Sequence, residues 1–189
     1  MSDSEIVMAT RKWVEDVVVG YNLCPFAKRE LVKDRVRFVV TEAKTEDELV
    51  QALHAELQLL EDQPDVETTL LIHPGVLQDF YAYNEFLDTA DALLEYLELE
   101  GVYQIASFHP NYQFADTEAD AAENYTNRSP YPMLHLLREA SLESAIDNYL
   151  DVDGIPDRNI ALMNELGTEK MRNSLKACLE SSGNKRTGE

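Results

Sequence analysis

Ile6, Val7, Thr10, Trp13, Val14, Val17 and Val18 recur at helical spacing, so the N-terminal segment is predicted to be a helix with one core face. Ser2 can cap it, with Glu5 three residues later closing a capping box. Gly20, Asn22 and Pro25 are stop signals. Residues 36–40 form a β-rich run that predicts a strand, and its flanking charges suit a sheet edge. Thr45 caps a second helix with Glu48 at the matching position; Leu49, Leu53, Leu57 and Leu60 make its apolar face, and acidic residues decorate the rest. Residues 68–72 are nearly continuously apolar, as in a buried parallel strand. A third helix rich in Phe, Tyr and Leu is predicted over 78–98, and a third strand over 102–108. Beyond Phe108 the pattern predicts helices only. These are a short one within 116–125, a firm one over 133–150 that Ser129 and Pro130 would open, and a hairpin of 156–166 and 168–179 around Gly167.

Strand, helix, strand, helix, strand reads as two right-handed crossovers. The predicted fold class is therefore α/β. It is a small two- or three-layer domain with a short, mostly parallel sheet of about three strands and a helical C-terminal third. The 189 residues suffice for one domain with a real core. That domain is expected over 1–180, with a disordered tail over 181–189. Strand order does not follow from the pattern.

Composition narrows the partners. A formal charge of -20 argues against nucleic acid and anionic membrane surfaces, whose phosphates require clustered Lys and Arg. The apolar runs fall far short of the roughly 20 residues that span a bilayer, and the acidic N-terminus lacks the features of a signal peptide. Two cysteines make no disulfide framework. A cytoplasmic protein that takes a small-molecule ligand is the expectation, with oligomeric state open.

The candidate chemistry gathers after the strands. His73-Pro74 and His109-Pro110 each follow a strand's carboxyl end, where ligands bind in open α/β sheets. If the two strands are neighbours, the imidazoles come within roughly 5 Å, the strand spacing. They then suit a shared metal, a shared anion or an acid/base pair; a His-Pro unit also serves simply to end a strand. Cys24 lies past the first helix, before Pro25 and near Lys28 and Arg29, a setting that can lower a thiol's pKa. With His73 and His109 it makes a catalytic trio, or a three-ligand zinc site with an open position. The plain alternative is that Cys24 fills core space. Arg128 offers a fork for carboxylate or phosphate at the predicted start of the 133–150 helix, on which His135, Arg138 and Glu139 would share a face. Asn22, Tyr112, Gln113, Asn127, His135, Arg138 and Arg158 complete the expected ligand-binding set, Arg158 most weakly since an acidic neighbour can hold it.

Five pieces carry a resemblance when taken together: 22–27 (Asn-Leu-Cys-Pro-Phe-Ala), 109–114 (His-Pro-Asn-Tyr-Gln-Phe), 126–132 (Thr-Asn-Arg-Ser-Pro-Tyr-Pro), 134–139 (Leu-His-Leu-Leu-Arg-Glu) and 155–159 (Ile-Pro-Asp-Arg-Asn). Their combination resembles the DUF1415 family of bacterial proteins over nearly the whole chain, from Trp13 to Leu166. The resemblance implies a compact soluble protein and transfers no reaction or catalytic residue. Two readings follow from the residues. One is an enzyme acting on a small polar or anionic metabolite at the C-terminal edge of the sheet, through Cys24, His73, His109 and Arg128. The other is a non-catalytic module that binds a small ligand, a metal or a protein, with Phe80, Tyr81, Tyr83 and Phe86 as an apolar face.

Overall fold

The computed structural model describes residues 1–149 and 151–183. Helix α1 (Asp3–Trp13) opens on the expected capping box, with Ser2 Oγ accepting from the Glu5 N–H and the Glu5 carboxylate accepting from the Ser2 N–H. The chain then widens into a π-helical segment, Val14–Val19, and turns at Gly20. Helix α2 (Ala27–Val32) leads to strand β1 (Val36–Val40). Helix α3 (Glu46–Asp62), with its Thr45–Glu48 capping box, connects to β2 (Thr68–Ile72). Helix α4 (Phe80–Tyr96), capped by Asp79, connects to β3 (Tyr103–Phe108). A loop with a 3-10 turn at Ala122–Thr126 precedes β4 (Met133–Arg138). Helices α5 (Glu139–Asp147), α6 (Ile155–Leu166) and α7 (Thr168–Gly183) follow.

The sheet order is β1-β2-β4-β3. β1 and β2 are parallel, and β4 is antiparallel to both β2 and β3. Leu71, Leu134 and Leu136 pack under the α3 and α4 face made by Leu53, Leu57, Tyr83 and Phe86. On the other side, Leu70, Ile72 and Met133 pack against Ile6, Trp13, Val17 and Met171 of α1, the π segment and α7. The α/β expectation therefore stands, as helical layers on both faces of one sheet.

Three expectations are corrected. The sheet has four strands, one of them antiparallel. Met133–Arg138, expected to begin a long helix, is instead the strand between β2 and β3. Covered on both faces, its Met-Leu-His-Leu-Leu run lacks strict alternation, so periodicity does not separate strand from helix. Helix begins only at Glu139, so Ser129 caps nothing; its buried hydroxyl donates to the Tyr131 carbonyl. Residue 150, the expected end of that helix, lies outside the described residues. Finally, α7 reaches Gly183, so 181–183 are helical, and the rest of the expected tail lies outside the described residues. Among the described residues no helix is long and apolar enough to cross a membrane.

Candidate functional site

His73 and His109 do converge, although β4 separates their strands. Ile72, Met133 and Phe108 are in register, so the two histidines flank Pro132 at the same level. Between them rises Tyr83 of α4, its ring 5.8 Å from the His73 ring and 5.1 Å from the His109 ring. The Tyr83 hydroxyl donates to the Met133 carbonyl and accepts from the Phe108 N–H, tying β4 to β3. His109 accepts the Asn111 N–H at Nδ1, which puts its own proton on Nε2, aimed at the Leu77 carbonyl. His73 donates from Nδ1 to the Val76 carbonyl, and its Nε2 is buried without a hydrogen-bond partner. Burial pushes both imidazoles toward the neutral form, His73 to about 4. Backbone carbonyls of the 73–79 loop, at Val76 and Leu77, thus hold both imidazoles.

Arg128 is not part of the cavity that Cys24 lines. Its guanidinium donates to the carbonyls of Tyr112 and Ala119 and lies 4.7 Å from the Tyr125 ring, bracing the loop between β3 and β4. Asn127 donates to the Ser107 carbonyl and Gln113 to that of Thr117, in the same loop. Tyr112 packs its ring on Phe80 and Phe114. The buried Asn124, absent from the expected set, accepts from the Phe114 N–H and Thr117 and donates to Glu118. These residues build the loop they occupy.

Cys24 and His135 lie elsewhere. Both line a cavity of about 250 Å³ on the α1 side of the sheet. Two rows of the sheet form one wall: Val36, Thr68 and Leu137, then Leu70, His135 and Ala106. Trp13, Val14 and Val18 close one side, where the π segment starts, and Phe26 and Ala27 stand beside Cys24. Helix α5 adds Ser141, Leu142 and Ala145. On a strand, His135 and Arg138 face opposite ways, which corrects the shared helical face expected of them. Arg138 points to the α3 side and donates to the carbonyls of Leu60 and Val66 and to the Tyr103 hydroxyl.

The Cys24 loop is fixed from α6. Arg158 donates to the Asn22 carbonyl at 2.9 Å and to the Tyr149 hydroxyl, and Asn159 donates to the Leu23 carbonyl at 2.8 Å. Asn22 takes a positive φ of 54°, and Tyr149 sets its ring edge-on to Phe26. Two of the five sequence pieces, 22–27 and 155–159, are therefore partners in space.

The His135 tautomer follows from its neighbour. Thr68 Oγ1 donates its hydrogen to the Leu136 carbonyl, so at 2.7 Å from His135 Nε2 it can only accept. Nε2 carries the proton and Nδ1 keeps its lone pair. Burial pushes this imidazole down to about 4, so it is neutral at pH 7. Four charged residues border the cavity, Arg29, Glu30, Glu67 and Arg138, the last with its guanidinium turned away to the α3 side. Arg29 pairs with Glu30, and Arg35 bridges Glu30 and Glu67.

Cys24, His73, His109 and Arg128, expected around one hollow, thus divide among three places. Among the described residues no group of three or more His, Cys, Asp or Glu is placed to hold a metal ion, so the expected zinc trio is not assembled. Sequence reasoning missed Trp13, Phe26, Thr68 and Phe108 as cavity walls; each reads locally as ordinary core or strand.

Compared with known proteins, the chain matches over residues 5–173 the family model described as "Protein of unknown function (DUF1415)". No curated protein and no solved structure matches it.

Proposed function

The chain belongs to the DUF1415 family, whose description names no reaction, and from that premise we propose that it binds a small organic molecule in the cavity shared by Cys24 and His135. One observation carries the reading: about 250 Å³ of mostly apolar space lies inside a domain of 189 residues, with a thiol and a neutral imidazole among its few polar groups. Interiors normally pack to crystal-like density, so a hollow of this size with mostly apolar walls offers a large surface for a bound organic molecule to cover. Apolar walls with a few placed polar groups are the usual form of a small-molecule site. The free thiols of Cys24 and Cys178 suit a reducing compartment such as the cytoplasm.

The test is a titration of uncharged one- and two-ring aromatic fragments into methyl-labelled protein. Resonances of Val18, Val36, Leu137 and Leu142 should shift and saturate. The shifts should vanish in Ala106→Phe, which fills the space from β3. Shifts confined to methyls outside the cavity, or persisting in Ala106→Phe, would overturn the reading.

A second reading, catalysis on the bound molecule, is favoured by the anchoring of the Cys24 loop from Arg158 and Asn159. A held thiol and a neutral imidazole on one cavity supply the parts of a nucleophile and its base.

A further inference from the structure

We infer that the molecule this cavity takes is a neutral, flat aromatic of about ten non-hydrogen atoms bearing one N–H or O–H, which the His135 imidazole accepts. The inference rests on the binding reading and narrows it to a ligand class; of the polar or anionic metabolite expected from the sequence it keeps a polar group and leaves out the charge.

Size comes from volume. An engineered apolar cavity of roughly 150 Å³ takes benzene, so about 250 Å³ scales to about ten non-hydrogen atoms. Shape comes from the walls. Trp13 meets Phe108 edge-on at 5.3 Å, and Phe108 stands 6.1 Å from His135, so three rings run on without a break. Phe26 adds a fourth ring to the lining. Such walls favour a partner ring through edge and offset-stacked contacts.

Charge comes from what is already spent. Arg138 gives its donors to Leu60, Val66 and Tyr103, and Arg29 is paired with Glu30. Glu30 and Glu67 are buried and held by Arg35. A carboxylate or phosphate entering here would lose its water and face the buried Glu30 and Glu67, with Arg138 engaged on the α3 side and Arg29 giving its Nε to Glu30 at the exposed rim, which is costly. Polarity comes from His135. Its N–H is committed to Thr68, so what the ring can still offer is the Nδ1 lone pair. That lone pair calls for a donor on the ligand. Leaving it unmet against an otherwise matching ring is the basis of selectivity.

The test compares three probes on the intact protein: indole, its sulfur isostere benzothiophene, which lacks the N–H, and indole-3-carboxylate, which adds a negative charge. Dissociation constants are read from the cavity methyl resonances. Indole should bind about fivefold tighter than benzothiophene, the worth of one hydrogen bond. Indole-3-carboxylate should bind at least about tenfold weaker than indole. In His135→Phe the preference for indole should disappear while benzothiophene is held as before. The three-probe comparison is made on the unaltered chain, so it decides the matter whether or not that variant folds. Equal binding of indole and benzothiophene, or tighter binding of the carboxylate, overturns this ligand class and leaves the cavity as a site. No cavity shift with any of the three overturns the binding reading itself, and this inference with it.

Discussion

Each polar side chain is defined by the partner that consumes its donors. His73, His109 and Arg128 carry reactive groups, yet backbone carbonyls occupy them. Residue type was legible in the sequence, and the partner was not, because the carbonyls come from positions as far away as Leu77 is from His109. Cys24 differs: it is partly exposed and borders open space. If it is a nucleophile activated by His135, iodoacetamide at pH 7.5 should alkylate it at least about tenfold faster than free cysteine, and His135→Phe should remove the gain. A rate equal to that of free cysteine would reject catalysis and leave binding. Cys178, buried with its thiol pushed up, should stay unmodified and serves as the internal control.

Among elements, the two that sequence patterning misjudged both border the cavity. β4 was read as helix because a strand buried on both faces loses its period-two signature. The π-helical segment carries valines that fit a helical face whether the turn is tight or wide, so only its closure at Gly20 marks it. There a Cβ would collide with the Asp16 carbonyl oxygen, because the wide turn brings that oxygen close. Helix propensity alone predicts that Gly20→Ala stabilises by about 1 kcal/mol. The collision reverses the sign, and a loss of about 1–3 kcal/mol is expected in urea unfolding. A gain in stability would show that the wide turn is not a fixed feature. Where one face alone was buried, as on α1 and α3, the pattern and both capping boxes were read correctly.

At the scale of the whole molecule, acid stability depends on neutral histidines lodged on both sides of the sheet. His73 and His135 are pushed down to about 4 from an ordinary 6.5. Between those values the unfolded chain binds protons that the folded chain refuses, so stability falls as pH falls through this window. It levels off above about pH 8, where neither state protonates these rings. Near pH 5 the two together give a slope of about 2 kcal/mol per pH unit. Urea midpoints at pH 8, 6.5 and 5 measure it, and His135→Phe should remove about a third to a half of the decline between 6.5 and 5, since His109 is pushed down as well. An undiminished decline in that variant would assign the acid sensitivity to other groups.

The sequence by itself determined what local forces control. Capping, one-sided amphipathic faces and the first three strands are set by residues within a few turns of each other, and they suffice for an α/β fold with helices on a sheet. The composition of the candidate site was also in the sequence, since Cys24 and His135 were both singled out. Only the tertiary structure decided that β4 inserts between β2 and β3. That insertion turned His135 to the cavity that Cys24 also lines and Arg138 toward α3, and it left His73 and His109 to the backbone. Strand order and facing depend on which buried surfaces fit one another across the whole chain, and no window of sequence contains that information.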